Sequence, residues 1–137
     1  MAVAIPETHK DLVEGPVYVT LATLMPDGQL QLSVIWCNYD GTHVLVNTAR
    51  GRQKEKNMRK RPQVAILAID PQDPYRYLEV RGLVDELVEE GAKEHIEQLS
   101  RLYMNKPFYG GTVPAERENK EVRVICKIRP TCVRVVG

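Results

Sequence analysis

The sequence has no stretch near the ~20 consecutive apolar residues that span a bilayer, and Met1 to Lys10 show no basic segment followed by a long apolar run. The expectation is a cytoplasmic chain with no membrane partner. Cysteine is sparse. Cys37, Cys126 and Cys132 form an odd set without a C-x-x-C pair, each in an apolar, strand-like context. They read as small buried hydrophobes rather than a disulfide or a nucleophile. His9, His43 and His95 lie far apart with no H-x-x-H or H-E-x-x-H spacing, so no metal site is expected. No G-x-G-x-x-G follows a strand pattern, which excludes a Rossmann dinucleotide site, and there is no P-loop and no G-x-S-x-G.

What is present is ordinary in amount and uneven in distribution. A length of 137 residues with 43% hydrophobic and 27% charged positions suits one globular domain over residues 1–137 and leaves no room for a second. Net charge is only +1, yet Arg50 to Arg61 holds seven cations against the single acid Glu55, leaving the rest of the chain at −5. A concentrated basic segment on an acidic background points to a localised anion site rather than general affinity for polyanions.

Pro6 to Glu14 reads as a short helix ended by Gly15. Val17 to Leu24 is a strand, Met25-Pro26-Asp27-Gly28 a turn, and Gln29 to Cys37 a second strand alternating through Leu30, Leu32, Val34 and Trp36. After a turn at Tyr39 to Thr42 comes a third strand, Val44 to Thr48. Gly51 to Arg61 is helical, anchored by Met58 and ended by Pro62. Val64 to Ile69 is a strand, Pro71 to Pro74 a loop, and Tyr75 to Val84 a strand whose continuation to Val88 fits strand or helix. Glu89 to Met104 has a helical period in Ala92, Ile96, Leu99, Leu102 and Tyr103. Asn105 to Asn119 is irregular, and Glu121 to Val136 is a long strand broken near Pro130. Turns this tight forbid parallel crossovers. The fold class is therefore mainly β (α+β): a six-stranded antiparallel barrel with two to four short helices plugging its openings.

The chemistry concentrates in Asn47 to Arg59. A strand ends in small polar residues, Gly51 permits close backbone approach, and a basic helix begins. Free N–H groups at a helix start favour a phosphate, and Arg52 and Lys54 can both reach one oxyanion if the helix begins just there. A solvated basic face is the plainer reading, but cations at a helix N-terminus oppose the macrodipole unless an anion is bound.

Four pieces in order resemble the pyridoxamine-phosphate-oxidase-like, FMN-binding split β-barrels, and most of all their deazaflavin (F420)-dependent branch. They are Leu21 to Leu24 with Asp27-Gly28; Ser33 to Trp36; Arg50 to Met58; and Tyr75 to Gly82. The resemblance spans nearly the whole chain. It implies a homodimer with two cofactor sites at its interface. It implies that Arg52 and Lys54, with Arg50 and Gln53 beside them, hold the cofactor's phosphate. The ring system would lie against backbone at Ser33, Val34, Ile35 and Trp36 and at Asn47, Thr48 and Ala49, with Tyr75 and Tyr77 near it from the partner subunit. The function implied is hydride transfer from reduced F420 to a small organic acceptor.

Other readings stay open at this stage. FMN on the same fold would make the protein a flavin oxidase or reductase, although the basic density suits the phosphodiester and glutamates of F420 better than the one phosphate of FMN. A non-catalytic carrier of the cofactor or of a tetrapyrrole is a third reading. A nucleic-acid-binding barrel, with Tyr75 and Tyr77 stacking on bases, is less favoured by a net charge near zero, so no nucleic-acid partner is expected. No proton donor is evident in the motifs. The acceptor is open among quinones, unsaturated esters and lactones, and biliverdin-like tetrapyrroles.

Overall fold

The computed structural model describes every residue from Met1 to Gly137. The β-branched run after Gly15 and the turn at Met25 to Gly28 form a hairpin of β1 (Val19–Leu24) and β2 (Leu30–Ile35). With β3 (Cys37–Tyr39), β4 (Val44–Ala49), β5 (Gln63–Asp70), β6 (Asp73–Val88) and β7 (Arg123–Val136) they build one antiparallel sheet in the order β2-β1-β5-β6-β7-β4-β3.

The fold is mainly β, but the sheet has seven strands rather than the expected six. The difference lies at Trp36. The single strand expected from Gln29 to Cys37 is two, because β2 pairs with β1 whereas β3 pairs with β4. These halves are the two edges of the sheet, joined by one residue, so the sheet must curl until its edges meet at Trp36. The result is a half-barrel. The hydrophobic period runs through Trp36 unbroken, and a change of partner leaves no local mark in such a period.

Other boundaries shift for identifiable reasons. Only Pro71 and Gln72 form the turn before β6, and Pro74 enters the strand at its second position, where a missing N–H is tolerated. Asp85 to Val88 is strand, paired with Ile125 to Lys127 of β7 except at Asp85, where the register shifts. β7 is bulged near Pro130 rather than broken: Arg81 faces Cys132 and Gly82 faces Pro130, which leaves Thr131 over. A Cβ on Gly82 would come within 2.7 Å of the Arg129 carbonyl oxygen, so the bulge requires glycine there. The N-terminal helix is a 3-10 turn, Glu7–His9, followed by the single α-helical turn α1 (Asp11–Glu14).

The barrel interior is apolar, with Val19, Leu21, Ile66, Leu78, Val80 and Ile128 almost fully buried. α1 packs Leu12 and Val13 against β3 and β5. α2 (Gln53–Lys60) packs against β1 with Met58 buried, as expected of its apolar anchor. α3 (Ala92–Met104) lies along β4 and β7, burying Ala92, His95, Ile96 and Leu99, whereas Leu102 faces outward. Cys37 and Cys126 are core residues, their thiols pushed up to about 12 by burial. Cys132 is not: it lies past the bulge, where β7 has lost β4 as a neighbour, and is exposed.

β2 is turned over relative to an ordinary half-buried strand. Leu30, Leu32 and Val34 are 66–68% exposed, while Gln31 and Ser33 point inward. Gln31 is met there by the buried Asn57 of α2, whose amide donates to its side-chain oxygen (3.2 Å) and to the Thr23 hydroxyl (3.0 Å). This seam fixes the start of α2 over β2.

Candidate functional site

α2 begins with bare donors. Gly51 has φ 89°, Arg52 is the N-cap without a side-chain cap, and the N–H groups of Gln53, Lys54 and Glu55 meet no acceptor. The one acid of the segment is committed elsewhere. The buried Glu55 carboxylate accepts from the Gly51 N–H (2.8 Å), from Arg59 (2.7 and 3.1 Å) and from Arg50 (3.2 Å). Arg59 above all, with the Gly51 N–H and Arg50, holds it down to about 2. Arg50 also binds Glu89, so two of the cations are neutralised at the helix itself.

Lys54 is not. Its ammonium makes one long contact, 3.4 Å to the Ser33 hydroxyl, and burial followed by repulsion from Arg52 and Arg123 lowers its pKa. Lys54 and Arg52 face a cleft of about 260 Å³ whose walls include Val34, Ile35, Trp36 and Asn47. Trp36 stacks on Tyr103 (5.4 Å, 16° between planes) and meets Phe108 edge-on at 6.2 Å. The cleft thus joins aromatic side chains to Lys54, which has no acid partner, and to Arg52, whose one acid contact is a 3.4 Å approach to Glu121.

A polar network that the sequence did not reveal backs this cleft. The Asn47 amide donates to the Ala92 carbonyl (2.9 Å) and to His95 Nδ1 (3.0 Å), its oxygen accepts from Arg123 Nε (2.9 Å), and His95 Nε2 donates to the Asn38 side-chain oxygen (2.7 Å). The imidazole is neutral: burial and then the Arg123 charge lower it to about 4. Phe108, Thr112 and Arg117 line the cleft from the segment between α3 and β7, and Arg123 from the first position of β7. Nothing in the irregular local pattern of Asn105 to Asn119 marks it as a wall; its sole regular element is a 3-10 turn, Ala115–Asn119.

The structure therefore brings together Ser33, Val34, Ile35, Trp36, Asn47, Arg52 and Lys54. Arg50 is engaged with Glu55 and Glu89 instead. Gln53 donates to Asn57 and lines a separate basic groove with Lys56, Arg59, Lys60 and Arg61. Thr48 and Ala49 are buried and absent from the cleft lining, and the Thr48 hydroxyl has no partner. Tyr77 belongs to an outer groove of about 570 Å³ shared with Ala22, Leu32, Ala65 and Leu67, and the neighbouring Tyr75 is 82% exposed. No three or more His, Cys, Asp or Glu are grouped to hold a metal, and no helix is long and apolar enough to cross a membrane.

Known structures share this architecture. An F420 reductase is 38% identical over 95% of this chain and 98% of that chain, with a TM-score of 0.82. A conserved hypothetical protein from Mycobacterium tuberculosis is 26% identical over 99% and 86%, TM-score 0.70. The haem storage protein HutZ from Vibrio cholerae, at 15% identity over 89% and 87% and TM-score 0.62, shares the fold alone. No curated protein matches. The family model for pyridoxamine 5'-phosphate oxidase matches residues 5–137, a span that takes in the hairpin, the basic helix start and the whole cleft; this chain belongs to that family.

Proposed function

We propose that the protein is an oxidoreductase that binds reduced coenzyme F420 across a homodimer interface and passes a hydride to a small organic acceptor. The observation that carries this reading is the start of α2, where three unpaired N–H groups, Arg52 and the half-buried Lys54 meet beside an apolar, aromatic cleft. Such a corner suits a phosphate attached to a ring system. Similarity to an F420 reductase at 38% identity supports the choice of cofactor.

When bound, a reduced deazaflavin supplies the hydride; the protein supplies position, dryness and charge. Arg52 and Lys54 hold the phosphate. β2 is an edge strand, so part of its backbone from Ser33 to Ile35 lacks a strand partner and is free to bind the ring, with Asn47 on the other side. Trp36 and Phe108 exclude water. We assign no side chain to proton transfer: His95 is neutral, and both its nitrogens are committed to asparagines. Tyr75 and Tyr77 reach such a site only from a second copy, which would also cover Leu30, Leu32 and Val34.

F420 is favoured over FMN because Lys56, in the groove beside the helix start, adds an unpaired cation beyond those that one phosphate requires. Titration calorimetry of the purified chain should show tighter binding of F420 than of FMN or NADPH, weakening steeply with salt. Tighter binding of FMN would overturn the cofactor and leave the family untouched.

A further inference from the structure

The cleft carries a second set of cations from outside α2. Arg117 comes from the 3-10 turn Ala115–Asn119 and Arg123 opens β7. One carboxylate serves them both: Glu121 accepts from Arg123 (3.0 Å), Arg117 (3.1 Å), the Tyr109 hydroxyl (2.7 Å) and, at 3.4 Å, Arg52. Arg52, Lys54, Arg117 and Arg123 against Glu121 leave the cleft three positive charges in excess, and a phosphate at the α2 corner answers only part of that. Arg123 is the most constrained of the four. It is 5% exposed, its Nε is held by Asn47, and its guanidinium stands 5.0 Å from the Phe108 ring centroid. Its Nη2 has no partner in the chain, yet it is not sealed off; the one buried side-chain polar atom without a partner is the Thr48 hydroxyl. Nη2 is therefore the one nitrogen of this guanidinium left to a ligand in the cleft that Arg123 lines with Trp36 and Phe108.

We propose that Arg123 and Arg117 together form a carboxylate subsite, and that the acceptor is a flat conjugated molecule bearing a carboxylate, its ring system lying against Trp36 with Phe108 at its edge. The Arg123 Nη2 can donate to one carboxylate oxygen and Arg117 to the other, and the indole of Trp36, backed by Tyr103 and met edge-on by Phe108, selects a flat body. This rests on the reading of Arg52 and Lys54 as the cofactor's phosphate site.

The test compares anthraquinone-2-carboxylate with anthraquinone-2-carboxamide on the full chain by calorimetry, with and without saturating oxidised F420. Trp36, the single tryptophan, reports occupancy of the cleft through quenching in the absence of F420. The acid should bind about tenfold tighter than the amide, quench Trp36, and keep its preference when F420 is saturating. Arg123→Gln should abolish the preference. Should that buried change prevent folding, Arg117→Ala, at a half-buried position, should reduce the preference about threefold. Equal binding of acid and amide, a preference that F420 removes, or one that Arg117→Ala leaves intact would each overturn the subsite. Failure of F420 itself to bind would overturn the cofactor reading alone, since the response to Arg117→Ala is measurable without it.

Discussion

An ammonium group beside two guanidinium groups, held by one long hydrogen bond to a hydroxyl, gains from an anion placed next to it; Lys54 is in that position. Changing Lys54 or Arg52 to Ala should weaken F420 binding about tenfold to hundredfold, with folding intact by circular dichroism. Lys60 is the matched control on the same helix: exposed and screened by water, it should matter far less, and an equal loss there would indicate a diffuse polyanion surface. Arg61 is unsuited to that comparison, because it donates to the Leu24 carbonyl (2.8 Å) and to Asn57 (3.3 Å) and so holds α2 to β1. His95 makes a different prediction. Its pKa is about 4 in the folded chain against 6.5 for the free side chain. Between these values the unfolded chain takes up a proton that the folded chain refuses. Stability is therefore full above pH 6.5 and lost as pH falls towards 4, by on the order of 2–3 kcal/mol. Urea titrations across this range should show that slope, and His95→Gln should flatten it.

At the level of elements, α2 is held by polar contacts more than by apolar ones. Met58 is its only buried hydrophobe; Glu55 and Asn57 are its other buried residues. Glu55 ties the Gly51 turn to Arg50 and Arg59, and Asn57 ties the helix to the hairpin, so the bare N–H groups stay aimed over β2. Glu55→Gln should cost about 2 kcal/mol at neutral pH, discounted because both arginine partners are partly in water. The sign with pH follows from a carboxyl lowered from 4.5 to about 2. Its contribution is complete above pH 4.5 and fades as pH falls through 2, so the gap between wild type and variant in chemical denaturation should close over that interval.

For the whole molecule, the decisive feature is the outward apolar face. Leu30, Leu32 and Val34 of β2 continue into the groove of Ala22, Ala65, Leu67 and Tyr77, and no element of the chain covers it. Apolar area of this kind on an edge strand is ordinarily covered by association. Leu32→Arg should turn a dimer into a monomer by light scattering at micromolar concentration and lower cofactor affinity while the far-ultraviolet spectrum stays unchanged. A wild-type monomer at that concentration would defeat the shared site.

By itself the sequence determined what local patterns carry: the hairpin turn at Met25 to Gly28, the antiparallel character, α3 by its period, and the basic helix start at Arg52 to Lys54 behind Gly51. These depend on backbone preferences and on neighbours three or four residues away, so they are written in the chain at short range. Tertiary structure alone decided the rest. Trp36 divides one apolar run into two strands because the halves find partners at opposite edges of the sheet. Pro130 stays within β7 because Thr131 bulges opposite Gly82, and β4 has already ended alongside at Ile128. Arg50 and Gln53 leave the cleft for acceptors on α2 and at Glu89. Arg123 enters it because Asn47, 76 residues away, orients its guanidinium while Glu121 anchors it. Contacts at that separation exist only once the sheet has curled, and no period or motif of a single segment encodes them.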